Sequence, residues 1–164
     1  MKIGRGRFAG SAQRGFSLIE ILVIIIIIGI IAGITWPRLA ALAPRYRLEG
    51  AARALAAELQ KARGRAIAEG KCFQVTFDVG ARTYQVLKAP SSACASFAND
   101  GLAQKVEDSG TIGIEDANSS GSAPPPPTFN TRGGNAQASS IRLFNNLGDG
   151  RLVTVNGVGR VNVQ

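Results

Sequence analysis

The chain has 164 residues, 45% of them hydrophobic, with 19 basic and 11 acidic side chains, a formal net charge of +8, two cysteines and no histidine. That length suits one domain with appendages, and the apolar content is enough for a core, although much of it is concentrated near the N-terminus. Without histidine there is no Ser–His or Cys–His nucleophile pair. A Walker loop and a paired-carboxylate motif in a recognisable setting are also missing, so the expectation is a non-enzymatic protein with no cofactor, no metal and no small-molecule substrate.

Residues 1–15 carry Lys2, Arg5, Arg7 and Arg14 and no acid. From Phe16 to Trp36 the only charge is Glu20, and at about 1.5 Å per residue a helix of that length matches the roughly 30 Å of a bilayer's hydrocarbon. The basic flank predicts a single span with its N-terminus in the cytoplasm and the rest of the chain outside it. A cleaved secretory signal is the competing reading. Its best small-x-small site, Ala41-Leu42-Ala43, is followed directly by Pro44, which disfavours a signal peptidase.

Glu20 sharpens that choice, because a carboxylate in hydrocarbon costs several kcal/mol unless it is paired or protonated. In an isolated anchor it would have to reach the headgroups. If the chain were cut between Gly15 and Phe16, the new α-amino group of Phe16 would be a cation at membrane depth. Glu20 of a neighbouring subunit could then neutralise it, turning two buried charges into one pair.

Gly15-Phe16-Ser17-Leu18-Ile19-Glu20 followed by an aliphatic run resembles the prepilin motif of type IV pilins and type II secretion pseudopilins. The resemblance implies cleavage after Gly15 by an inner-membrane prepilin peptidase, N-methylation of Phe16, and Glu20 as the residue that guides docking into a filament on an inner-membrane assembly platform. Pro37 falls where many pilins carry a helix-kinking proline. The implied domains are a cleaved leader (1–15), a transmembrane and assembly helix (16–37), its amphipathic continuation (38–70) and an extracytoplasmic, periplasmic head (71–164).

Within the continuation, Leu48, Ala52, Leu55, Leu59, Ala62 and Ala66 recur at alternating steps of four and three, which puts them on one helical face. Gly70 is a stop signal, and Pro37 and Pro44 are bend points rather than breaks. The continuation holds seven basic residues against Glu49, Glu58 and Glu69, whereas the head is nearly balanced. That basic face could meet headgroups, acidic neighbours or water.

After Gly70, Phe73, Val75 and Phe77 alternate with polar residues as a half-buried strand requires, and a turn at Asp78–Arg82 leads to a second strand, Thr83 to Lys88. Further strands are predicted at Thr111 to Glu115, Ile141 to Phe144, Arg151 to Asn156 and Arg160 to Val163. The fold class is α+β, a long N-terminal helix packed on antiparallel sheet. A Pro-, Gly- and Ser-rich stretch at about 116–140 offers little to bury and predicts a long exposed loop, extended and stiff at Pro124 to Pro127. The acidic pairs Glu107-Asp108 and Glu115-Asp116 are expected to flank a strand as solvated charges. Gly148 to Gly150 and Gly157 to Gly159 are expected to be turns rather than ligand loops.

The order of these pieces, with Phe129-x-x-x-Gly133 and the closing strands up to Gly159-Arg160-Val161-Asn162-Val163, resembles the GspH/FimT branch of minor pseudopilins. That implies a subunit of a type II secretion pseudopilus or a type IV pilus, with other pilins or pseudopilins as partners. The alternative it implies is a DNA-binding minor pilin for natural transformation. Gly159-Arg160-Val161-Asn162 keeps only the first arginine of the Gly-Arg-x-Arg pattern, so Arg142, Arg151 and Arg160 would have to gather on one sheet face. Cys72 and Cys94 face an oxidising compartment on this topology and favour a disulfide, which would stabilise the head by about 2 to 4 kcal/mol.

Overall fold

The computed structural model describes residues 16–107, 110–118 and 121–164, the side chains of 37, 38, 40 and 41 excepted. The one helix among the described residues, α1, covers Leu18–Glu69. Both Pro37 and Pro44 lie inside it without breaking it, because each proline removes one donor while the neighbouring turns keep theirs. The helix stops at Gly70, which takes a positive φ of 61°, the left-handed cap that only glycine adopts cheaply. The described residues divide into two compact units, one up to Ala41 and one from Leu42 to Gln164.

Among the described residues nine strands follow: β1 Phe73–Asp78, β2 Thr83–Lys88, β3 Ala98–Asn99, β4 Gln104–Lys105, β5 Gly113–Asp116, β6 Thr128–Phe129, β7 Ser139–Phe144, β8 Gly150–Val155 and β9 Val161–Val163. They form two antiparallel sheets, β3-β2-β1-β6 with β4 also on β2, and β5-β7-β8-β9. The helical stripe read from the sequence is the one buried: Leu48, Ala52, Leu55, Leu59, Ala62 and Ala66 pack with Phe73, Val75, Ile114, Phe129, Ile141, Leu143, Val153 and Val155 in one core. Each fully covered Leu, Ile or Phe side chain adds roughly 1.5–3 kcal/mol. The first sheet and the second therefore share the same helix face.

Residues 117, 118, 121–123 and 136–138 are exposed, but the proline-rich segment 124–135 between them departs from the expectation of an exposed loop. It threads into the core, with Phe129 fully buried and paired with Phe73 across β6 and β1. Prolines offer only acceptors, and here those acceptors are used: Val75 N–H donates to Pro127 O at 3.0 Å and Ser139 Oγ to Pro125 O at 2.6 Å. Asn135, also buried, accepts from Thr128 N–H at 2.8 Å and donates to Gln137 O. With its polar backbone matched in this way, the segment can leave water.

Candidate functional site

The N-terminal end of the described chain is built around one carboxylate. Ser17 O accepts N–H bonds from Glu20 and Ile21 at 3.0 and 3.2 Å and opens the helix. Glu20 thus lies in the first turn, where the helix dipole favours an anion. Its side chain is exposed, and no ion pair of Glu20 occurs among the described residues. Phe16 is 72% exposed; Gly15 lies outside the described residues. Residues Leu18–Trp36 have a mean hydropathy of 3.0 and none of that window is buried, so they are long and apolar enough to cross a membrane.

In the second unit, the helix and the strands are stitched together by charge. Arg45 meets Asp149 at 3.3 Å, Arg47 approaches Glu107 at 4.0 Å, Arg65 pairs with Asp100, Arg151 with Glu49 at 2.8 Å, and Lys88 with Glu69. The basic excess of the helix is thus partly spent inside the protein. Hydrogen bonds from Arg151 and then Arg53 hold the Glu49 carboxyl below the usual carboxylate range, and those from Lys88 and Arg65 do the same to Glu69. The bond to Asp100 raises the Arg65 guanidinium above its ordinary value. Cys72, fully buried, is disulfide-bonded to Cys94, with the two Cα atoms 5.0 Å apart, and ties the start of the first sheet to the loop after β2.

The arginines considered for DNA do not gather on one face. In the β7–β8 register Arg142 stands opposite Leu152 and Arg151 opposite Leu143, so alternation sends the two to opposite sides of the sheet. Arg142 is held by Glu115 at 2.7 Å and Arg151 by Glu49. Glu115 is itself a correction: it lies within β5, 7% exposed, rather than in a solvated loop, because Arg142 and the N–H of Gly121 satisfy it. Glu107 faces Arg47 and accepts from Thr111, whereas Asp108 lies outside the described residues.

What the structure brings to Arg160 instead is Arg63 and Arg132. Gly133 and Gly159 both have φ near +77° and are buried. Their backbones cross so closely that a Cβ on Gly159 would overlap the Gly133 carbonyl oxygen. Arg63 of α1 clamps the crossing, donating from Nε to Gly133 O at 2.9 Å and from Nη2 to Val158 O at 3.3 Å. Asn135 N–H adds a bond to Gly157 O at 3.0 Å. The glycine ahead of Arg160 is therefore required by packing. Gly159 was legible as a turn glycine and Gly133 only as the end of the Phe129-x-x-x-Gly133 pattern; their contact joins residues remote in sequence and left no periodic signal.

Among the described residues, no group of histidine, cysteine, aspartate or glutamate side chains could hold a metal.

No curated protein matches the chain. Among solved structures, the type IV minor pilin FimU of Pseudomonas aeruginosa is similar at 20% identity and a TM-score of 0.56, over 73% of this chain and 90% of that one. The minor pseudopilin EpsH from the type 2 secretion system of Vibrio cholerae is similar at 15% identity and a TM-score of 0.57, over 72% of this chain and 96% of that one. Both likenesses concern the fold. The profile of the prokaryotic N-terminal methylation motif matches residues 10–36, the stretch that holds Gly15, Phe16 and the exposed Glu20. The profile described as type II transport protein GspH matches residues 51–159, from the buried helical stripe through both sheets to the glycine crossing, and the chain belongs to that family.

Proposed function

We propose that the chain is a minor pseudopilin or pilin subunit that is built into a type II secretion pseudopilus or a type IV pilus. The observation that carries this is the solitary Glu20 on an uncovered apolar helix, four residues after a methylation-motif Phe16 and joined to a GspH-type head. A prepilin peptidase cuts between Gly15 and Phe16 and methylates the new amine; the inner-membrane assembly platform then lifts the subunit into the filament. The basic leader holds the N-terminus in the cytoplasm and the head lies in the periplasm. Glu20 of one subunit meets the Phe16 amine of the next, a head-to-tail contact that generates an open fibre. Pro37 supplies the bend point of that helix.

Glu20→Ala abolishes incorporation, measured as the amount of the protein in sheared or pulled-down filaments, while the head keeps its disulfide and its unfolding transition. Normal amounts of the variant in filaments would overturn the assignment. Proteins that copurify with the tagged native chain, secretion pseudopilins or pilus subunits, identify which machine it serves. Arg142 and Arg151 are both engaged by carboxylates, which disfavours the DNA-binding alternative.

A further inference from the structure

Arg63, Arg132 and Arg160 come from three separate segments, and the Gly133–Gly159 crossing places them at one corner of the head. Arg132 and Arg160 each adjoin one of the crossing glycines and are exposed. Arg63 spends its hydrogen bonds on two carbonyl oxygens, which leaves its charge uncompensated. None of the nine ion pairs among the described residues involves any of the three. This contrasts with the helix around it, where Arg45, Arg53, Lys61 and Arg65 each find a carboxylate. Beside the charges stand two exposed aliphatic side chains, Val158 at 67% and Ile67 at 52%. Val158 lies in the turn that Arg63 holds, and Ile67 reaches the space over Gly133.

From this juxtaposition we infer that the corner is a docking surface for a different polypeptide, one that presents carboxylates around an apolar contact. A nucleic-acid backbone would use a track of cations and has no need of Val158 and Ile67, whereas arginine beside exposed aliphatic area is the make-up of a protein interface. A second copy of this chain is a poor fit. Its described head carboxylates outside ion pairs are Asp78 and Asp116, which lie in different sheets and form no cluster. The inference rests on the assembly reading above, because a subunit of a mixed filament or its tip must recognise an unlike neighbour. It adds which surface does so.

The test uses the full chain in non-ionic detergent and three labelled probes of equal length: an alternating Glu-Leu peptide, an all-Glu peptide and duplex DNA. The Glu-Leu peptide should bind best, weaken as salt rises, and lose about tenfold in affinity in Arg132→Ser/Arg160→Ser, the loss expected from two exposed charge contacts. Arg63 is left in place because it holds the Gly133 carbonyl. An unchanged melting temperature in the double variant excludes unfolding as the cause. Val158→Ser, with all charges kept, should weaken the Glu-Leu peptide and leave the all-Glu peptide unaffected. Equal or tighter binding of DNA with the same arginine dependence would overturn the protein-partner assignment, and peptide binding indifferent to the double variant would overturn the site. Glu20→Ala should bind the peptide normally, which separates failure of the corner from failure of the filament reading.

Discussion

Residues 18–36 and residues 48–66 belong to the same helix and are both rich in small and aliphatic side chains, yet they distribute them by opposite rules. Apart from Glu20 the first stretch is apolar all round, with Ile19, Ile25, Ile28 and Ile31 each about 60% exposed. The second keeps to a stripe, and Leu48, Leu55 and Leu59 on it are at most 2% exposed. A uniform apolar surface needs an apolar solvent, and a stripe needs a sheet to cover it. Side chains in the first stretch are therefore free of intramolecular consequence, whereas those in the second set the stability of the head.

Glycines should divide most sharply along this line. A Cβ at Gly33 would meet nothing within 4 Å, while one at Gly159 would strike a backbone carbonyl at a residue already in the left-handed region. Gly159→Ala should cost the head about 4 kcal/mol or more, combining the strain of positive φ with a displaced crossing. Gly33→Ala should cost the head nothing. Hydrogen exchange of the β7 and β8 amides in the full chain measures both. Protection in Gly159→Ala equal to that of the native chain would break the comparison.

The leucine pair is a step smaller. Leu59→Ala removes a fully buried side chain at the centre of the stripe and should destabilise the head by about 3 kcal/mol, from lost transfer energy and the cavity left behind. Ile26→Ala, at a position 53% exposed, should leave the same transition unmoved. A common effect of the two on the denaturant midpoint would mean that the stretches are not separable.

Residues 18–36 and the stripe were legible because each repeats a simple rule over many residues, and so were the longer strands, whose ends the structure shifts by a residue or two. Strands β3, β4 and β6 have two residues each and no periodicity to detect. Their existence depends on what they pair with. Composition misjudged the proline-rich stretch, since Phe129 is buried by hydrogen bonds made to β1 and β7 rather than by any local pattern. At the candidate sites the outcome follows the same logic. Phe16 and Glu20 belong to a contiguous motif, whereas the fate of Arg142 and Arg151 was decided by carboxylates remote in sequence.

The smallest expected effect lies in the charges, and they too belong to the striped half of the helix. Glu49 and Glu69 have folded pKa values held below the ordinary range by their arginine and lysine partners. Near those values the unfolded chain binds more protons than the folded one, so their contribution is complete above the ordinary glutamate pKa of about 4.3 and is lost as pH falls through the folded values. The head should therefore lose stability progressively in acid, modestly because both carboxylates are solvent-screened. Glu49→Gln/Glu69→Gln should be slightly less stable than the native chain near neutrality and converge with it in acid, flattening the acid limb of the melting temperature against pH. Parallel acid limbs for the two proteins would show that these pairs do not couple helix to sheet.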